Sequence, residues 1–439
     1  MASAEDAPVS DAEAATLFAP LRDRSRLVLA VSGGPDSTAL LLLHARARTL
    51  DPTLPGAIVV TVDHGLRPEA AQEARLVAAL AARHGLLHRT LRWEGEKPAA
   101  NLQAEARRAR YDLLFDAARD LGCDTVVTAH HADDQAETFL ARLARGSGVV
   151  GLSAMTPRRK IDGLVLARPF LDLPKSRLLA TLAAAGEAWI EDPSNTDRRF
   201  DRARRRAAAP LLADLGLTRD RLVATAKAMA RAASAIETQV DAALATGVDI
   251  HPAGWVALRP EVVATQPEEV RLRLFSRLVR AVGGAPYGPR LDRLEAIAAA
   301  VDGGDPAAVV AARTLGGTRI EQRRGRIWIA AEAGRGTPPS LRLEPGECGR
   351  WRGRRIELAP GASSAVTIAP LGPDGRRTIA ATDGLTPAIV GDPTPPAAMI
   401  ESALAVFRDG ELVACPGLRH VREGDRNRME TLHIAPISP

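Results

Sequence analysis

Five apolar residues in succession, Leu27-Val28-Leu29-Ala30-Val31, give way to small and polar ones, Ser32-Gly33-Gly34-Pro35-Asp36-Ser37. A stretch without glycine or proline then runs from Thr38 to Leu50. The first run has the length of a buried strand and the last that of a helix. The same change of period recurs downstream. Apolar runs predict further strands at 58–62, 88–92, 126–129 and 164–167. Helical periodicity predicts helices at 37–49, 69–84, 101–121, 133–145 and 174–186. A short leading helix is expected at 11–19, ended by Pro20. Strands alternating with helices predict an α/β fold with a parallel sheet covered on both faces. Function then belongs at the carboxyl ends of the strands.

Beyond about residue 215 the pattern changes. One long helical period covers 218–246, and two more helices fill 260–302 around Gly283-Gly284-Ala285-Pro286. The runs 315–320 and 326–330 predict a β-hairpin, and a Gly/Pro-rich linker follows at 334–339. Short β-like runs at 341–343, 355–358 and 366–368 lead to a polar tail, 422–439, for which partial disorder is expected. The expected organisation is a parallel-sheet domain over 1–215, a helical α+β domain over 216–335 and a small, mostly β domain over 336–439.

Composition narrows the class. The 439 residues are 46% hydrophobic and 25% charged, ordinary for a globular protein. Three cysteines far apart, Cys123, Cys348 and Cys415, suggest no disulfide framework. The first residues are acidic and lack a basic-then-apolar signal pattern, and no apolar run approaches membrane-spanning length. A reduced, cytoplasmic setting without a membrane is therefore expected. The net charge of +5 is not spread evenly. Residues 142–206 carry 14 Lys/Arg against 7 Asp/Glu, an excess larger than that of the whole chain. Six arginines fall within 198–206: Arg198, Arg199, Arg202, Arg204, Arg205 and Arg206. Such a run fits a nucleic-acid backbone, although a solvated face would read the same way.

Four stretches could carry chemistry around the first strand–turn–helix. That turn points backbone N–H groups and a helix N-terminus at an anion. Gly33 and Gly34 allow close approach, Ser32 and Ser37 offer hydroxyls, and Asp36 can hold a cation. Asp63 and His64 end the second strand beside it, in Val62-Asp63-His64-Gly65-Leu66-Arg67. Asn101 is a candidate N-cap for a helix on which Arg107 can share a face with Arg110 or Tyr111. His130-His131-Ala132-Asp133-Asp134-Gln135, with Glu137 following, ends a strand and opens a helix. Adjacent histidines on a strand end point to opposite sides, which disfavours zinc. Its acids suit magnesium–phosphate or a cationic substrate, or simply the helix dipole. Last comes Glu191-Asp192-Pro193-Ser194-Asn195, a turn leading into the arginine cluster.

The Ser32–Ser37 loop resembles that of the PP-loop ATP pyrophosphatases, an adenine nucleotide alpha hydrolase-like fold. Taken with the other stretches, the chain is similar to the tRNA(Ile)-lysidine synthase family, strongly over 26–215 and more loosely over 216–330. The resemblance implies ATP and Mg2+ as cofactors, and free L-lysine and an isoleucine tRNA with a CAU anticodon as partners. It implies adenylation of the wobble cytidine, release of diphosphate, then attack of lysine on carbon 2. It assigns ATP to Ser32, Gly33, Gly34, Pro35, Asp36, Ser37, Asp63, His64 and His131, with Asp36 also toward magnesium. Asp36, Arg107, Asp133 and Asp134 become catalytic candidates. Asp133, Asp134 and Glu137 are candidates for holding lysine. The arginines of 198–206 and both later domains are assigned to tRNA. The family usually has asparagine where this chain has Ala203, and an aliphatic residue where it has Arg205, which leaves the contact there open. The oligomeric state is open too, a homodimer being one option. A tRNA thiolase is the nearest alternative, but it requires clustered thiolates. A glutamine-dependent amide-forming enzyme would need a nucleophilic cysteine near the N-terminus. A catalytically idle RNA-binding protein would have no use for an intact Ser32, Asp36 and Ser37.

Overall fold

The computed structural model describes residues 6–65, 69–95, 97, 102–161, 163–191, 201–285, 288–301, 305, 307–332, 339–422 and 432–435. They form two compact units, Met1–Ala233 and Ser234–Pro439.

The first unit opens with α1 (Asp11–Phe18), started by a capping box between Ser10 and Glu13. Pro20 does not end the coiling. It occupies the first turn of a 3-10 segment, Ala19–Leu21, where its missing N–H leaves no bond unmade. The alternation then follows: β1 (Leu27–Ala30), α2 (Pro35–Leu50), β2 (Ala57–Asp63), α3 (Ala70–Arg83), β3 (Leu87–Arg92), α4 (Leu102–Asp120), β4 (Thr125–Val127) and α5 (Ala132–Leu143). After it come α6 (Val149–Leu152), β5 (Arg158–Ile161), β6 (Leu164–Ala167), α7 (Lys175–Ala185), α8 (Asp201–Asp214) and α9 (Arg219–Gly247). The sheet order is β3-β2-β1-β4-β6-β5. Every pairing is parallel except β5 with β6. The hydrophobic pattern did not predict β5, because an edge strand needs no apolar run and Arg158, Arg159 and Lys160 are exposed.

Strand residues alternate between two cores. Leu29, Val59, Val127 and Ala167 pack with Phe18, Leu40, Leu178 and Leu182 of α1, α2 and α7. Val28, Ile58, Val60, Val126, Leu164 and Leu166 pack with Leu114 and Phe115 of α4. Chain order reverses at β1, between β2 and β4. This is where an open α/β sheet leaves a crevice at its carboxyl edge.

The second unit begins within α9. It holds β7 (Val248–Ile250), β8 (Val256–Leu258), α10 (Pro260–Ala264), α11 (Glu268–Gly283), α12 (Leu291–Ala300), β9 (Val310–Leu315), β10 (Thr318–Arg323) and β11 (Arg326–Ala331). These strands form one sheet, β7-β8-β11-β10-β9. The expected hairpin strand at 315–320 is displaced: Gly316 and Gly317 make the β9–β10 turn, both at positive φ, and the strand starts at Thr318. The last hundred residues contain β12 (Leu341–Leu343), β13 (Cys348–Trp351), β14 (Arg354–Leu358), β15 (Val366–Pro370), α13 (Gly372–Thr382), α14 (Pro387–Val390), α15 (Ala397–Glu401), β16 (Leu404–Arg408), β17 (Glu411–Cys415), β18 (His420–Val421) and β19 (Leu432–Ile434). Two antiparallel sheets result, β12-β15-β16-β17-β18 and β13-β14-β19. Within the tail expected to be partly disordered, 432–434 is a strand paired with β14, because Leu432 and Ile434 pack on a core with Ile356 and Leu358; 423–431 and 436–439 lie outside the described residues. The three cysteines are unbonded, and no described helix is long and apolar enough to cross a membrane.

Candidate functional site

The loop after β1 is folded by its own side chains. Gly33 takes φ +86°, a conformation that favours glycine. Its carbonyl accepts from Ile190 N–H (2.9 Å) and from the Thr38 hydroxyl (3.1 Å). The Ser37 hydroxyl donates to Gly34 O (3.0 Å) and accepts from Ser32 N–H (3.2 Å). Gly34 is the N-cap of α2, with Pro35 in the first turn. A Cβ there would meet only Ser32 Oγ, at 3.8 Å. The loop is therefore closed beneath Gly33 and open above Gly34. The first N–H groups of α2 lack intrahelical partners and suit an anion.

Asp36 lies among charges. Lys175 Nζ stands 3.3 Å from both of its carboxylate oxygens and hydrogen-bonds to Oδ2. Oδ1 is buried without a hydrogen bond. The fully buried His131 places Nε2 3.5 Å from Asp36 and 3.5 Å from Asp134, and Nδ1 3.4 Å from Asp133. Burial alone would lower the His131 pKa, but Asp133, Asp36 and Asp134 outweigh it and push it up to about 9. Burial pushes Asp133 up, yet the His131 imidazolium and the Lys175 N–H (2.9 Å) hold its carboxyl at about 2. Asp36 is opposed by burial in the same way and is lowered by His131 and Lys175. The result is an alternating cluster of three carboxylates and two cations. Oδ1, which faces Lys175 but accepts no hydrogen bond, is a position where a divalent cation could join Asp36 to nucleotide phosphates, a habit of magnesium.

The two acids of the first turn of α5 differ. Asp134 is buried and accepts from the His131 backbone N–H (3.2 Å), capping the helix. Asp133 is 39% exposed, and the half-buried Glu137 lies one turn farther along the same face. His130 is hydrogen-bonded to the Thr128 hydroxyl (2.8 Å), whereas the His131 ring lies among the acids.

Asp63 closes β2 and accepts from Gly65 N–H (2.7 Å), while His64 meets Trp93 edge-on. Burial, then Arg110, lowers the His64 pKa, so its ring is neutral near pH 7. Arg107 and Arg110 both lie over the Tyr111 ring, each 5.3 Å from its centroid. Asn101, Leu66, Arg67, 192–195, Arg198 and Arg199 fall outside the described residues, as do the side chains of Arg202, Arg205 and Arg206. Arg204 is exposed on α8.

Three residues here were not singled out from the sequence: Lys175, Arg168 and Ile190. Arg168 directly follows β6 and is 7% exposed. Lys175 opens the helix after β6. The carboxyl-end rule that found Asp63 and His131 reaches both, had the loop after β6 been searched. Ile190 is invisible to such a rule, since its role is packing on Gly33.

A PP-loop domain model matches residues 7–212. A tRNA(Ile)-lysidine synthase of Bradyrhizobium sp. is 46% identical over 75% of this chain and 96% of its own length. Another of that name, from Methylobacterium sp., is 47% identical over 72% of this chain and 91% of its own. Among solved structures, a U34-tRNA thiolase from Methanococcus maripaludis aligns with TM-score 0.43 and 15% identity, over 50% of this chain and 78% of that one. With the PP-loop and the carboxyl-edge cluster at its centre, the chain belongs to the tRNA(Ile)-lysidine synthase family, ATP-dependent enzymes that modify tRNA.

Proposed function

We propose that the protein uses ATP to activate the wobble cytidine of an isoleucine tRNA with a CAU anticodon, then joins free L-lysine to carbon 2. The oxygen on carbon 2 attacks the α-phosphorus of ATP, and diphosphate leaves. The lysine side-chain amine adds to carbon 2, AMP departs, and lysidine remains. The observation that carries this reading is the meeting of the open phosphate loop with the Asp36–Lys175–His131–Asp133 cluster at one edge of the sheet.

The α2 N-terminus and the Ser32 and Ser37 hydroxyls receive the departing diphosphate. Asp63 and His64 flank the same edge and border the nucleotide. Asp36 Oδ1 would hold magnesium, which neutralises charge on the leaving phosphates. Lys175 supplies a second positive charge there. Arg107 stabilises the adenylated base. Asp133 stays ionised with its pKa near 2 and binds the lysine ammonium by charge, which makes it a poor proton acceptor. Glu137, one turn along α5, is the acceptor that frees the amine. Asp134 keeps His131 in place rather than touching lysine. In this division of labour, 1–215 carry catalysis, while the arginines of 198–206 and the segments 216–335 and 336–439 hold tRNA. The proposed setting is the cytoplasm, where these substrates meet.

One reaction tests the proposal: protein, magnesium-ATP, labelled lysine and the tRNA transcript, followed for diphosphate and for label in RNA. Both should appear together and depend on the anticodon cytidine. Diphosphate with sulfur uptake but no lysine uptake would replace this reading with a thiolase, and no diphosphate at all would favour an idle binder.

A further inference from the structure

The antiparallel strand β5 brings an arginine to the catalytic edge that the parallel strands cannot supply. Its register sets Arg158 opposite Ala167 and Arg159 opposite Leu166, and Arg168 N–H donates to Pro157 O (2.8 Å). The start of β5 therefore lies at the carboxyl end of β6. Leu166 belongs to the core under α4, and Ile161, two residues beyond Arg159, packs there too. By strand alternation Arg159 and Arg168 share the α4 face, which also carries Arg107.

Arg142 extends the row from the end of α5. It reaches across to Gly151 O (2.6 Å) and Ala154 O (2.8 Å), beside the exposed Arg145. Burial, then the charges of Arg159 and Arg145, lowers the Arg142 pKa. At Arg168, burial again leads; Tyr111 opposes it, and Arg107 and Arg159 add to it. Several other arginines of this unit hold acids: Arg22 with Asp51, Arg46 with Asp11, Arg83 with Glu187, Arg177 with Glu13. Among the described residues none of Arg107, Arg142, Arg145, Arg159 or Arg168 has a carboxylate partner. Like charges held close without counter-charges call for a polyanion.

We propose that Arg168, Arg159, Arg142 and Arg145, a strip leading away from Arg107 at the catalytic edge toward the β5 side of the sheet, dock RNA phosphates. Arg168 and Arg142 are fixed by backbone carbonyls and shape the strip, while Arg159 and Arg145 are exposed and make the contacts. The strip is separate from the arginines of 198–206. It rests on the tRNA-modifying reading above.

The test is tRNA affinity as a function of salt for the wild type and for Arg145→Ser/Arg159→Ser, using the CAU-anticodon transcript. Each lost phosphate contact lowers the slope of log affinity against log salt by roughly 0.7–0.9. The double variant should lose roughly 1.4–1.8 of slope and about tenfold or more in affinity at physiological salt. ATP affinity should be unchanged, and Arg145→Lys/Arg159→Lys should keep the slope. A double variant with the wild-type slope overturns the strip. So does a parallel loss of ATP affinity, which would give these arginines to the nucleotide. A wild type that binds the transcript with a steep slope that the double variant loses, yet incorporates no lysine, would fail the functional reading and support the strip.

Discussion

At the scale of single residues, the charged cluster ranks its members. Lys175 Nζ contacts both oxygens of Asp36, and its own N–H contacts Asp133. Replacing it removes a cation from the proposed diphosphate end and leaves Asp36 with His131 alone. Asp36→Ala and Lys175→Ala should each lower lysine incorporation by about 10²–10³-fold, in the range of losing one preorganised electrostatic contact. Lys175→Arg should restore part of it, and circular dichroism should report an intact fold. Near-normal incorporation by Lys175→Ala would remove it from the site. His44 makes a different prediction. It is fully buried against Phe18, and Nε2–H donates to Pro55 O (3.1 Å). Burial pushes its pKa down to about 4, against about 6.5 in the unfolded chain. Protonation therefore favours the unfolded state. Stability is undiminished above pH 6.5 and falls as the pH drops toward 4, by about 3 kcal/mol in total. Urea midpoints measured from pH 7.5 to 4.5 should show this decline, and His44→Gln should flatten it. A variant declining as steeply as the wild type would assign the loss to other groups.

At the scale of elements, the two loop glycines separate folding from binding. A Cβ on Gly33 would come 2.4 Å from Ile190 Cδ1, on a backbone with φ +86°. Gly33→Ala should cost about 1–3 kcal/mol of stability from strain alone, and ATP affinity with it. Gly34→Ala meets only Ser32 Oγ at 3.8 Å. It should unfold within about 1 kcal/mol of the wild type, the difference between alanine and glycine at an N-cap, yet fill the space where a phosphate approaches. Thermal midpoints and nucleotide titrations of both variants check this, and equal losses of stability would contradict it. The contrast also marks how far the sequence was legible. Strand–glycine–helix placed the loop, because apolar runs and glycine have local causes. Asp36 and His131 were each legible as carboxyl-end residues, but their pairing was not, since only the fold sets β1 beside β4. Nor was Ile190 beneath Gly33, since it reaches the loop from far along the chain. Nor was β5, whose polar residues carry no strand period and pair only because β6 offers an edge. Lys175 was readable by position but carried no motif.

At the scale of the whole chain, the apolar core of the second unit runs across the expected boundary near residue 335. Trp255 and Ala257 of the β8 region and Trp328 and Ala330 of β11 pack with Leu371, Ile379, Met399, Ile400, Cys415 and Leu418. Both tryptophans are 2% exposed. The β8–β11 sheet thus has its other face covered by the last hundred residues, while its first face packs on α11 through Phe275 and Leu278. Removing 340–439 would uncover two tryptophans and the alanines between them. At roughly 25 cal/mol per Å² of apolar surface, and 150–250 Å² for a large aromatic, each tryptophan forfeits several kcal/mol of burial. That is a large share of the stability typical of a domain. A chain ending at residue 339 should therefore show red-shifted tryptophan emission and lose cooperative unfolding in the segment 234–339. Its affinity for tRNA should fall even though 216–335 are retained. ATP binding should persist, because the phosphate loop and its cluster lie within Met1–Ala233. If the truncated chain instead keeps buried tryptophans and full tRNA affinity, the segment 216–335 folds and binds by itself. The two later segments would then act on tRNA separately rather than as one body.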